Sequence, residues 1–230
     1  MGLIKGYGVI WDMDGVLVDT GDFHYLSWVE ALSEVGISID EQFFQETFGM
    51  NNAGIISLLV EGEPDPEFVI QVGERKELLF REMVKGQVQP LPGVQSWLER
   101  LQAENLPGNG GEPYLVRSAI ASSAPQANVE ALIYELGLEE SFYAMVSGAD
   151  MPGKPDPGVF LEAARQIEMP PEKCVVVEDA VAGVEGAKRA GMKCVAVTTT
   201  NIPEALSAAD IVVDRLDELP EDAFRKLAGE

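Results

Sequence analysis

Acidic residues in this chain stand where short apolar runs stop. Tyr7-Gly-Val-Ile-Trp11 ends in Asp12-Met-Asp14-Gly15, and Cys174-Val-Val-Val177 ends in Glu178-Asp179. Two further runs finish on other polar groups: Ala119-Ile-Ala121 leads to Ser122 and Ser123, and Tyr143–Ser147 is followed by Lys154 in Gly153-Lys-Pro-Asp-Pro157. Four carboxylates brought together repel one another unless a cation lies among them. An all-oxygen donor set suits Mg2+, which uses few carboxylates and keeps several waters. Mg2+ in turn implies phosphate. Lys154 supplies a point charge and Ser122 a hydroxyl donor for phosphoryl oxygens, offsetting the charge that opposes attack by a carboxylate. An Asp in such a place can act as nucleophile, forming an aspartyl-phosphate that water hydrolyses, while a second Asp two residues along exchanges a proton with the leaving group and the water.

Bringing these groups to one rim requires parallel strands. After Leu91-Pro92-Gly93 the chain alternates helices with short apolar strands: helices near 94–104, 127–136, 159–167 and 182–190, and strands near 114–121, 143–147, 174–177, 194–198 and 211–213. That alternation predicts βαβ units and a parallel sheet covered on both faces, with ligands beyond the carboxyl ends of its strands. From Thr20 to about Gly86 the period is helical throughout. Phe23, Leu26, Ala31 and Val35 recur at roughly helical spacing, Asp19, Asp40 and Asp65 are placed to cap helices, and Gly36, Gly62 and Pro64 interrupt them. The fold class is therefore α/β, a Rossmann-like doubly wound core with an inserted all-helical cap. The core spans 1–18 and 88–230, the cap 19–87, and the linkers lie near Val18–Thr20 and Gln87–Leu91.

The chain has 230 residues, with 39 acidic and 16 basic, a formal net charge of −23 and 46% hydrophobic residues. That is enough apolar material for a sizeable core. The charge disfavours nucleic acid and acidic membranes, both of which need Lys or Arg to displace counterions. Cys174 and Cys194, the only two cysteines, sit inside apolar runs, as small buried thiols do. With no leader-like start and no long apolar run, the expectation is a cytoplasmic protein, monomer or homodimer, acting on a small phosphorylated metabolite. Pro107-Gly-Asn-Gly-Gly111 reads as an exposed loop, not a phosphate cradle. Gly148-Ala-Asp-Met-Pro-Gly153-Lys154 matches the start of a P-loop. However, Pro155 stands where the Mg2+-binding Ser/Thr belongs, and Pro155 with Pro157 interrupts the required helix.

Asp12-Met-Asp14-Gly-Val-Leu-Val-Asp19-Thr20, the strand-end Ser122, Gly153-Lys154-Pro-Asp-Pro157 and Val177-Glu178-Asp179-Ala-Val-Ala-Gly183 together resemble, in this order, the four motifs of the haloacid dehalogenase superfamily. The whole chain is similar to the branch with a helical cap after the first motif, which holds beta-phosphoglucomutase and many small phosphatases. The resemblance implies Asp12 as nucleophile and Asp14 as general acid/base. It implies Mg2+ on the Asp12 carboxylate, the Asp14 carbonyl and Asp179, with Glu178 supporting it, and the phosphoryl group held by Ser122 and Lys154. The founding dehalogenases lack an acid in the place of Asp14, so its presence favours phosphoryl transfer. Phosphonate-cleaving relatives also lack it.

The cap adds weaker signals. His24 is similar in spacing to the cap histidine of the mutases, and Lys76 lies near the place of a cap lysine. Yet Phe48-Gly-Met-Asn-Asn-Ala-Gly54 has no arginine where the mutase has one for the distal phosphate. The cap's positive residues, Arg75, Lys76, Arg81 and Lys85, fall in its last helix and are expected to pair with Glu74, Glu77 and Glu82. Trp28, Phe43, Phe44 and Phe48 are expected in the cap's own core rather than on a pocket wall. The expected activity is a Mg2+-dependent phosphatase, the alternatives being a sugar-phosphate mutase or a catalytically silent phosphate-binding protein.

Overall fold

The computed structural model describes residues 5–47, 50–105 and 114–230. Strand β1 (Lys5–Trp11) is followed by four helices, α1 (Gly21–Ser33), α2 (Glu41–Thr47), α3 (Asn52–Leu59) and α4 (Pro66–Met83). Then come α5 (Val94–Ala103), β2 (Tyr114–Ser122), α6 (Gln126–Leu136), β3 (Ala144–Ser147), α7 (Gly158–Gln166), β4 (Cys174–Glu178), α8 (Val181–Arg189), β5 (Lys193–Val197), β6 (Ile211–Val213) and α9 (Ala223–Leu227). The Gly-rich 107–111 segment and Phe48 lie outside the described residues.

Among the described residues the strands of the sheet pair in parallel throughout, and the strand order is β3-β2-β1-β4-β5-β6. This is the doubly wound order, whose switch point lies between β1 and β4. Successive residues of a strand face opposite sides of the sheet, so a doubly covered strand must be apolar throughout. Accordingly Tyr7, Val9, Trp11, Val175, Val177, Val195 and Val197 join one buried cluster, while Ile10, Cys174, Val176, Cys194 and Ala196 join the other. Both cysteines are free and buried, and burial pushes the Cys174 thiol up to about 12. The first cluster is closed by α9, absent from the expected elements, whose Phe224 lies edge-on to Trp97 at 4.8 Å between ring centroids.

Helices α1–α4 pack around a third cluster of Trp28, Leu32, Ile55, Ile56 and Val72, with Phe43 and Phe44 against it. These aromatics are therefore core, as expected. The buried face of α1 is Ser27, Trp28, Ala31 and Leu32; Leu26 and Val35, read from the sequence as part of its apolar stripe, are exposed. Asp40 and Asp65 cap α2 and α4 through the N–H groups of Phe43 (2.8 Å) and Glu67 (3.1 Å), and Asp19 accepts from Gly21 (3.2 Å). The two connections between the helices and the sheet are tied together: Val18 bridges Pro90 antiparallel, and the Leu91 N–H donates to the Leu17 carbonyl at 2.9 Å. Among the described residues no helix is long and apolar enough to cross a membrane.

Candidate active site

The carboxyl ends of β1 and β4 lie side by side, and the Asp12 N–H continues the ladder by donating to the Val177 carbonyl at 2.9 Å. This places Asp12 against Glu178 and Asp179. Lys154 reaches both strands from the loop after β3: its ammonium donates to Asp12 Oδ1 at 2.5 Å and to Glu178 Oε1 at 2.6 Å. That loop is fixed by the Asp156 carboxylate, which accepts from the Gly158 N–H at 2.9 Å. Helix α7 starts at Gly158, so no helix follows Lys154 as a P-loop requires. Glu178 is wholly buried; its Oε2 accepts the backbone N–H groups of Asp179 and Ala180, both at 2.9 Å. The Thr200 hydroxyl, in the Thr198–Thr200 run after β5, donates to Asp179 Oδ2 at 2.5 Å.

Two glycines leave room for these carboxylates. Gly15 has φ +81°, and a Cβ there would stand 2.0 Å from Asp179 Oδ2. A Cβ on Gly183 would stand 1.8 Å from Glu178 Oε1. Because Glu178 is held by Lys154 and two backbone N–H groups, it has no free path of retreat. Gly183→Ala is expected to lower stability by about 1–3 kcal/mol, as overpacking does. The displaced Glu178 should cost on the order of 10- to 100-fold in activity, the usual effect of disturbing a supporting group. Denaturant titration and phosphate release measure the two effects.

Oxygens of Asp12, Glu178 and Asp179 lie within 4.8 Å of one another. Burial, together with Glu178, Asp179 and Asp14, raises Asp12 well above the usual carboxylate range against the pull of Lys154. Burial and Glu178 push Asp179 up to about 7. Burial alone would lower Lys154, but Asp12 and Glu178 raise it above the ordinary lysine value. One ammonium thus faces three crowded acids. A hard divalent cation is the group that would let all three ionise, and the all-oxygen donor set fits Mg2+.

The Asp14 side chain is aimed elsewhere, toward α1. Its Oδ1 accepts from the Thr20 hydroxyl at 2.5 Å and lies 3.4 Å from His24 Nε2. On the other side of the ring, Lys76 Nζ is 2.9 Å from His24 Nδ1. An ammonium can only donate, so Nδ1 is the acceptor and the ring proton sits on Nε2, facing Asp14. Burial, then the Lys76 charge, holds the His24 pKa below its usual value, and the ring stacks on Phe80 at 4.1 Å. Burial would raise Asp14, but the bonds from His24 and Thr20 hold it below the carboxylate range.

Lys76 is buried and also donates to Glu77 Oε1 (3.1 Å) and Oε2 (3.2 Å). Glu77 further accepts from Asn52 of α3 (2.9 Å) and from Asn128 of α6 (2.6 Å), and Asn128 accepts from Arg81 (2.7 Å). The pairing expected for the cap cations is thus corrected in part. Arg75 reaches Glu34 at the end of α1 instead of its own helix, Lys76 pairs with its immediate neighbour, and Lys85 lies beyond the end of α4. Ser122 is buried, its Oγ accepting from the Ala124 N–H at 3.1 Å, which leaves its own proton to donate; Ser123 is exposed at the turn into α6. Thr20, Asn52, Glu77, Asn128 and Thr200 were not singled out as site residues from the sequence. Only Thr200 carried a usable signal, its position after a strand.

A family profile described as haloacid dehalogenase-like hydrolase matches residues 9–197. The chain is 32% identical over 224 residues to the chloroplastic 5-amino-6-(5-phospho-D-ribitylamino)uracil phosphatase of Arabidopsis thaliana, covering 96% of this chain and 57% of that protein. It is 29% identical over 221 residues to the beta-phosphoglucomutase of Bacillus subtilis, covering 92% and 90% of the two chains. A beta-phosphoglucomutase structure from Clostridium difficile superposes with a TM-score of 0.80 at 24% identity, over 99% of this chain and 98% of that one.

Proposed function

Because the chain belongs to the haloacid dehalogenase-like hydrolases, we propose that it is a Mg2+-dependent phosphatase of small phosphorylated metabolites, of sugar-phosphate or phosphoglycolate type. The observation that carries this reading is the division of labour between two carboxylates. Asp12 lies against Lys154 and the acidic cluster, while Asp14, two residues on, is turned to Thr20 and His24.

Asp12 attacks phosphorus and forms an aspartyl-phosphate, with Lys154 beside it to hold a phosphoryl oxygen. Ser122 presents its hydroxyl proton to a second oxygen. Asp14 gives a proton to the leaving oxygen and later takes one from the attacking water. Its low proton affinity in the free site rises when an anionic phosphoryl group arrives beside it. His24 Nε2–H orients Asp14, and Lys76 fixes the ring that does so. Asp12, Asp179 and the Asp14 carbonyl would hold Mg2+, supported by Glu178, and the ion would supply charge compensation for the phosphoryl group. The cap, residues 19–87, is read as a lid on the core of 1–18 and 88–230, closing to keep bulk water from the reacting phosphorus.

The test is phosphate release from a panel of sugar phosphates, phosphoglycolate, nucleotides and an aryl phosphate. We expect release with Mg2+, its loss with a chelator, and its return on adding Mg2+ back. Release unaffected by the chelator would contradict the metal assignment. Conversion of beta-glucose 1-phosphate to glucose 6-phosphate, primed by a bisphosphate and without net phosphate release, would establish a mutase instead.

A further inference from the structure

The cap brings four basic side chains to the molecule, Arg75, Lys76, Arg81 and Lys85. Each has a place. Arg75 grips Glu34 through three contacts of 2.7–3.0 Å, at the end of α1 remote from Asp14 and roughly 15 Å along that helix from His24. Arg81 donates to Asn128 of the core, and Lys85 is exposed past the end of α4. Lys76 alone approaches Asp14, through His24. An ammonium has three donors. Those of Lys76 match three acceptors, His24 Nδ1 and both Glu77 oxygens, and Glu77 returns a full negative charge to the same buried spot. The remaining polar groups there, Asn52 at the start of α3 and Asn128 of α6, are uncharged and both donate to Glu77, and Arg81 adjoins the cluster through Asn128.

The cap side of the site therefore holds a cation whose charge and hydrogen bonds are already consumed within the protein. On the core side, Lys154 serves the reacting phosphoryl group. From this we infer that the enzyme acts on phosphomonoesters whose leaving group is uncharged, a polyol or sugar hydroxyl, and discriminates against those that carry a carboxylate or a second phosphate. The inference rests on the phosphatase reading above and narrows it. A second anionic group, held against the cap, would meet Glu77 and a spent lysine within an acidic shell, and like charges juxtaposed at low dielectric repel strongly.

Matched substrates test this. Ethylene glycol phosphate and phosphoglycolate share a two-carbon leaving group and differ by one carboxylate; a hexose monophosphate and the corresponding bisphosphate differ by one phosphate. With Mg2+ present, kcat/KM should favour the uncharged member of each pair by about tenfold or more, with the difference mainly in KM. Equal or better turnover of the charged member overturns the inference while leaving the phosphatase reading intact. Release from none of the four, nor from any other monoester of the panel above, overturns the phosphatase reading itself. Two variants check the cause. Glu77→Gln frees the Lys76 charge, and Asn52→Arg adds a cation beside Glu77 while keeping every acceptor of Lys76. Thermal melts identify which of them fold. In each that does, the preference for the uncharged member should shrink severalfold, and an unchanged ratio would overturn the assignment to this cluster. Should neither fold, the methyl ester of phosphoglycolate decides on the native enzyme: it keeps the bulk of the carboxylate without its charge, so its kcat/KM should return toward that of ethylene glycol phosphate, and turnover as poor as that of phosphoglycolate would overturn the inference.

Discussion

Asp12→Asn is expected to abolish phosphate release, by on the order of 10^4-fold or more, the scale seen when a nucleophile is removed from an enzyme. The folded structure should survive. The amide is nearly isosteric with the carboxylate, the backbone bond from Asp12 to Val177 is unaffected, and one oxygen remains to accept from Lys154. Removing one of three crowded acids also relieves repulsion with Glu178 and Asp179. The melting temperature should therefore stay level or rise while activity vanishes. Stability and activity moving in opposite directions is the signature of a residue whose placement serves chemistry at a cost to the fold. An inactive variant that is also unfolded would say nothing special about Asp12; an active one would contradict its role.

Lys154→Met should do the reverse and damage both. The side chain is of similar length and apolar, but it leaves Glu178, wholly buried, and Asp12, 8% exposed, without their counter-charge. Removing one partner of a buried ion pair commonly costs about 3–5 kcal/mol, because the stranded charge keeps its desolvation penalty. Stability measured by denaturant titration should fall by that order without divalent metal. Added Mg2+ should recover part of the loss, since binding to the folded state alone stabilises it by mass action. Activity should fall by several orders of magnitude in either condition, because the phosphoryl group loses its positive partner. A stable and active Lys154→Met protein would contradict the arrangement proposed for the site.

The parts of this molecule legible in the sequence are those set by local burial. Strands β1 and β4 are buried on both faces, so they are written as apolar runs, and the first polar residues at their carboxyl ends, Asp12 just after β1 and Glu178 closing β4, mark the rim. The same logic reaches Ser122 and Lys154, and it extends to Thr200, a polar residue just past the end of β5. Periodicity alone misled in α1. Leu26 and Val35 fit the spacing yet face outward, since the helix buries only the narrow face around Trp28 and Leu32. Asn128 and Glu77, 51 residues apart, meet because α6 packs against α4, a juxtaposition that nothing in either segment encodes. Thr20 stands at the start of α1, as its sequence position suggests, but its hydroxyl makes no capping bond and donates to Asp14. Long-range polar contacts of this kind depend on tertiary placement and leave no trace in spacing or composition.

The central claim is that Asp12 carries the phosphoryl group, and an acid quench during steady-state turnover tests it most directly. With Mg2+ and the best monoester of the panel, mass spectrometry of the digested protein should find one phosphoryl group on the peptide containing Asp12. None should appear in Asp12→Asn, and phosphate should be released in step with substrate consumed. Turnover with phosphate release but with the label on another residue, or release that persists in Asp12→Asn, would contradict the account.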